Sequence, residues 1–170
     1  RCCSSAASDV YKRQKLPFGV EINDLIDNLR SLSWEAADIL LYYANIIKKL
    51  EQKNEILKNK NNEDPVTLAD LEVNELIINR INQTYQDTNW EILSEENFKI
   101  ESNYFNNVDW LWVLDPLDGT KDFIQGTQSY AMHLALNYKR KPYIGIVLIP
   151  EKDELWISYA EKLWCENRDG

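Results

Sequence analysis

From residue 21 to about residue 50, apolar side chains recur every three and four positions. Ile22, Leu25, Ile26 and Leu29 open the stripe, and Ala36, Ala37, Leu40, Leu41, Ala44 and Ile47 continue it. That spacing predicts one amphipathic helix. Ser31-Leu32-Ser33 leaves two readings, a break with Ser33 as N-cap or a helix that runs straight through. Lys48 and Lys49 suit the negative pole of the dipole. Residues 51–63 are polar connection, in which Ile56-Leu57 beside Lys58 and Lys60 reads as a short, charged edge strand. A second helix starts at Asp64-Pro65-Val66-Thr67-Leu68-Ala69-Asp70, where Thr67 and Asp70 have capping-box character. Leu71, Val73, Leu76, Ile77, Ile81 and Tyr85 form its expected core face.

The period then shortens from helical to alternating. Trp90-Glu91-Ile92-Leu93 reads as a short strand that enters Ser94-Glu95-Glu96-Asn97, and a polar loop to Asp109 leads to a central strand ending at Leu114. Beyond Gly126 a meander is expected, with strands over 129–138, 143–149, 155–159 and 163–166. Its turns fall at Arg140-Lys141-Pro142, at 150–153 and at Ala160-Glu161-Lys162. The pattern predicts an α+β fold, two long helices packed on a largely antiparallel sheet. Residues 1–14 carry no period and read as a non-native or disordered lead-in, which leaves 15–170 as one domain. The chain ends on Asn167-Arg168-Asp169-Gly170, a hairpin-turn signal without a returning strand, so an N-terminal fragment is expected.

Composition narrows the function classes. Hydrophobic residues make up 44% of the 170 and aromatics 11%, enough for a sizeable core. The formal net charge of −9 disfavours a nucleic-acid polymer as partner, because such binding needs a basic face. An anionic small molecule stays open where cations neutralise the site locally. No apolar run reaches membrane-spanning length and no signal-peptide pattern appears. The cysteines at 2, 3 and 165 have neither disulfide-framework nor zinc spacing, which points to a reducing, cytoplasmic setting.

The candidate chemistry lies in Asp115-Pro116-Leu117-Asp118-Gly119-Thr120. Strand formers hold the backbone up to Leu114, Pro116 fixes φ and biases Asp115 to an extended conformation, and Asp118-Gly119 is a turn pair. Two acids so placed are costly unless a hard cation neutralises them. Asp70 at a helix start and Glu95 and Glu96 after a strand are acids at element ends that can meet Asp115 and Asp118 on one sheet edge. There they suit Mg²⁺ with open water positions for a phosphate. The Thr120 hydroxyl is placed to position a water, with Asp70 as its acceptor. Each piece also has a bland reading. Asp-Gly alone is a turn, Ser94-Glu95-Glu96 a solvated loop, Asp70 a helix-dipole acid, and His133 a packed or edge residue rather than a ligand. An EF-hand is excluded by the spacing of Asp115, Asp118 and Asp122. The ordered joint occurrence of the acids favours the metal.

At these residues the chain resembles the inositol monophosphatase superfamily of Mg²⁺-dependent, lithium-sensitive phosphatases. The likeness rests on Asp115-Pro116-Leu117-Asp118-Gly119-Thr120 after a hydrophobic strand, on Pro65-Val66-Thr67-Leu68-Ala69-Asp70 and on Leu93-Ser94-Glu95-Glu96. With Lys121-Asp122-Phe123 following, the motifs are most similar to the 3'(2'),5'-bisphosphate nucleotidase branch. The resemblance implies the N-terminal half of an αβαβα layered fold, with a C-terminal α/β domain absent. It implies two or three Mg²⁺ ions, the first on Glu95, Asp115 and the Leu117 carbonyl, a second shared by Asp115 and Asp118. It implies Asp70, Thr120 and Glu95 as the catalytic set, and Glu95, Leu117, Asp118, Gly119 and Thr120 around the substrate phosphate. The implied reaction converts adenosine 3',5'-bisphosphate to AMP and phosphate by in-line attack of water, in a monomer or homodimer. An inositol-1-phosphatase or related sugar phosphatase is the alternative. From another class comes a non-catalytic metal- or phosphate-binding fragment.

Overall fold

The computed structural model describes residues 16–52, 65–95 and 108–169. The lead-in with Cys2 and Cys3, the edge strand expected at Ile56-Leu57, the Thr67 side chain and Glu96 lie outside the described residues. The elements run α1 (Ile22–Gln52), α2 (Pro65–Thr84), β1 (Glu91–Ser94), β2 (Trp110–Asp118), the one-turn α3 (Thr120–Ile124), β3 (Ala131–Tyr138), β4 (Lys141–Ile149), β5 (Glu154–Tyr159) and β6 (Lys162–Glu166). The strands form one sheet in sequence order, with β1 parallel to β2 and every later pair antiparallel. The α+β architecture is as the periodicity implies. Among the described residues no helix is long and apolar enough to cross a membrane.

One face of the sheet is covered by helices. Trp112, Leu114, Leu134, Leu136, Ile146 and Ile157 point into it and meet Leu25, Leu29, Leu32 and Leu40 of α1 and Val73 and Ile77 of α2. α1 does not break at Ser33. The Ser33 hydroxyl is fully buried and donates to the Leu29 carbonyl one turn back (2.7 Å), which satisfies it inside the helix. Leu71 departs from its expected place in the core, since α2 is rotated so that Ala69, Val73, Ile77 and Ile81 face inward and Leu71 is 39% exposed. The opposite sheet face carries Val113, Asp115, His133, Ala135, Val147 and Trp156, each half-buried or exposed.

Several strand boundaries differ from the expected ones, two of them with consequences for the site and its turns. The turn between β3 and β4 is Lys139-Arg140, both at positive φ, so β4 begins at Lys141. β2 runs past Leu114 to Asp118 instead of ending before the acids. Cross-strand aromatics pack where the meander places them: Trp110 against Tyr138 with centroids 4.5 Å apart, Tyr143 against Tyr159 at 5.4 Å. The far edge is tied to α1 by Arg30, whose guanidinium grips both Glu166 oxygens (2.5 and 2.8 Å), and by Arg168 on Asp38 (2.5 Å).

Candidate active site

Parallel pairing brings the first two acids together. Ser94 lies opposite Leu114 at the end of the β1–β2 ladder, so the next residue on each strand is an acid, Glu95 and Asp115. Between Asp115 and Asp118 the β2–β3 ladder slips: Asp115 faces His133, whereas Asp118 faces Ala131. Pro116, which lacks an N–H, sits in this irregular stretch and removes no ladder hydrogen bond. The slip lets one strand present both Asp115 and Asp118 at its end. The Leu117 N–H donates to Asp115 Oδ1 (3.2 Å), an Asx-type turn that holds the carboxylate. Gly119 then takes φ 84° and turns the chain into α3, and the Thr120 hydroxyl donates to the Leu117 carbonyl (3.2 Å).

The charges interact as their spacing requires. Burial pushes the Asp115 carboxyl above the usual carboxylate range, and the neighbouring Asp118 pushes the same way. The Leu117 N–H, His133 and a hydrogen bond with Glu95 oppose that shift. His133 Nε2 stands 3.3 Å from Asp118 Oδ2, an ion-pair distance not aligned as a hydrogen bond. Glu95, Asp118 and His133 thus each act on Asp115, and His133 also stands beside Asp118. Asp70, half-buried on α2 with its Oδ1 enclosed, is not among the groups acting on Asp115. Thr120 is exposed. Among the described residues no three His, Cys, Asp or Glu side chains are gathered as an ion cage. The sequence reads His133 only as a packed or edge residue, because its place opposite Asp115 comes from strand register. A cavity of about 270 Å³ opens on the bare sheet face beside Asp115 and His133, lined also by Val113, Gly145 and Trp156.

The model of the inositol monophosphatase family matches residues 22–167, which include every element described above. The chain belongs to the inositol monophosphatase family. It is 32% identical over 120 residues to the chloroplastic bifunctional phosphatase IMPL2 of Arabidopsis thaliana, covering 66% of this chain and 32% of that protein. To the 3'(2'),5'-bisphosphate nucleotidase CysQ of Haemophilus influenzae it is 32% identical over 104 residues, 61% of this chain and 38% of the relative. The crystal structure of CysQ from Bacteroides thetaiotaomicron superposes with a TM-score of 0.60 at 25% identity, over 78% of this chain and 45% of that one. The chain thus spans from about a third to about half the length of the curated relatives it matches.

The donor chemistry of this inositol monophosphatase family chain fits a hard divalent cation. Glu95, Asp115, Asp118 and the Leu117 carbonyl offer only oxygen, the ligand type Mg²⁺ takes. The raised Asp115 carboxyl points the same way: a second negative charge there is disfavoured by burial and by Asp118, and a cation reverses both effects.

Proposed function

We propose that this chain carries the ion-binding side of a Mg²⁺-dependent phosphate monoester hydrolase, most similar to the bisphosphate nucleotidases. One observation carries the reading: the parallel strand ends and the slipped ladder bring Glu95 and Asp118 to the same half-buried Asp115 carboxyl. Glu95, Asp115, Asp118 and the Leu117 carbonyl would hold the ions. When bound, Mg²⁺ supplies positive charge that offsets the phosphate oxygens and acidifies water. Asp70, with Thr120, holds the attacking water and accepts its proton as the water oxygen bonds to phosphorus. The ester P–O bond breaks on the far side, and the leaving oxygen takes a proton from solvent. Leu117, Asp118, Gly119 and Thr120 line the phosphate in the turn before α3. No covalent enzyme intermediate is required.

The resemblance of motifs to the bisphosphate nucleotidases and the 32% identity to a CysQ support adenosine 3',5'-bisphosphate as substrate. Phosphate release from that nucleotide and from inositol 1-phosphate, each with and without Mg²⁺, tests it. Faster release from inositol 1-phosphate would move the substrate to the sugar phosphates. Unchanged release by Asp118→Asn would remove the ion-based chemistry. The second reading is a non-catalytic ion- or phosphate-binding unit. Under it, Mg²⁺ binds but no ester is cleaved.

A further inference from the structure

The buried polar side chains of the described core are Ser33, Asn74 and Ser94. Ser33 is satisfied by its own helix. The other two satisfy each other: the Ser94 hydroxyl donates to Asn74 Oδ1 across 2.5 Å, with Ser94 0% and Asn74 6% exposed. Their positions in the chain are the informative part. Asn74 stands one helical turn after Asp70 on α2, so the two share a side of the helix. Ser94 is the last residue of β1, directly before Glu95, and its register partner Leu114 directly precedes Asp115.

We propose that Asn74 and Ser94 are a positioning pair that sets Asp70 on α2 against Glu95 and Asp115 at the strand ends. The remaining α2 residues facing the core, Ala69, Val73, Ile77 and Ile81, are apolar. Apolar contact is non-directional and tolerates small slides of a helix along a sheet. A short, buried hydrogen bond has a defined length and angle and does not. Sub-ångström placement matters in such sites, where a misplacement of about 1 Å costs about 100-fold in rate. A pair needed only for packing has an apolar equivalent of similar volume, whereas a positioning pair does not.

The proposal rests on the ion-dependent reading above, and the test separates the two. The variants are Asn74→Leu, Ser94→Ala, the double variant of both, and Ser94→Thr, made in the full chain. Urea unfolding gives stability. Mn²⁺ titration of the ¹⁵N-labelled chain, read by paramagnetic broadening of the Asp70, Glu95 and Asp115 amides, gives site geometry without turnover. Each single variant leaves a buried partner unpaired and loses stability, and the double variant regains most of it. The double variant nevertheless needs about tenfold more Mn²⁺, as losses of groups that orient ligands typically do. Its broadening at Asp70 relative to Asp115 also changes. Ser94→Thr, which keeps the hydroxyl, titrates like the parent. A double variant that regains stability and titrates like the parent makes the pair a packing device and overturns the proposal. If its stability is not regained, Ser94→Ala, titrated without urea, is judged by the same criterion. Broadening of Asp115 but not Asp70 in the parent also overturns the proposal, and leaves the ion site standing. No broadening at Asp115 in the parent overturns the ion site and the proposal with it.

Discussion

Replacing Gly119 with alanine separates two costs that usually arrive together. Gly119 has φ +84°, and a Cβ there would stand 2.7 Å from the Ser129 carbonyl oxygen and 3.3 Å from Tyr130 Cα. Gly19 has the same φ of +84° with nothing within 4 Å of its Cβ position. The left-handed conformation alone costs a non-glycine residue about 1–2 kcal/mol, which is the whole expectation for Gly19→Ala. At Gly119 the overlap is with backbone, and that backbone is anchored. The Tyr130 ring packs edge-on against Phe123 (4.7 Å between centroids), and its hydroxyl donates to Glu151 (3.1 Å). Relief therefore requires moving a packed segment, an overpacking cost of about 1–3 kcal/mol. Gly119→Ala is expected to lose about 2–5 kcal/mol in all. Urea unfolding followed by the fluorescence of the six tryptophans measures both variants, compared at unchanged m. Losses equal within about 0.5 kcal/mol, the usual spread of a surface substitution, would refute the argument that close approach, rather than φ alone, demands glycine here.

Three further outcomes follow from individual contacts. Glu151, 12% exposed at its side chain, accepts from Lys48 (3.2 Å), Gln128 (3.1 Å) and Tyr130 (3.1 Å), so Glu151→Ala should lower stability by about 2–3 kcal/mol in calorimetry or urea. An effect below about 0.5 kcal/mol would show the cluster to be dispensable. The Arg30 guanidinium holds Glu166 below the usual carboxylate range. Because that folded value is depressed, the stability it adds is present above about pH 4.3, the unfolded value, and fades as pH falls through the folded one. Glu166→Gln should cost about 1 kcal/mol near neutral pH and nothing at strongly acid pH, and a pH-independent difference would contradict the assignment. Asp118→Asn removes a like charge from beside Asp115, so the metal-free chain should unfold at the same or slightly higher urea concentration. A clear loss of stability would mean that the contact with His133 outweighs the repulsion.

The bond between Asn74 and Ser94 and the cluster around Glu151 each tie a helix to a segment next to the acid-bearing turn. One joins α2 to the end of β1, and the other joins α1 to the segment that packs on Gly119. Both replace sliding apolar contact with bonds of defined length, and both do so beside the residues whose spacing the proposed chemistry needs. Apart from Arg30 on Glu166 and Arg168 on Asp38 at the far edge, the rest of the described helix–sheet interface is apolar and sets stability more than register.

Much of this protein was legible in contiguous residues. The helical stripe of α1, the alternating strands and the local chemistry of Asp115-Pro116-Leu117-Asp118-Gly119-Thr120 each lie within a short window, where propensity, proline and glycine act directly on the backbone. The convergence of Glu95 with Asp115 was also within reach, since both come directly after apolar, strand-forming runs. Tertiary structure decided what depends on pairing across distant segments. The regular β2–β3 register put His133 opposite Asp115, the slip just beyond it carried β2 through to Asp118, and neither is visible without register. The rotation of α2 on the sheet exposed Leu71 and turned Asn74 toward Ser94, because that rotation follows from the summed packing of a whole layer. Periodicity identifies a face; only the assembled layers decide which residue on it meets which.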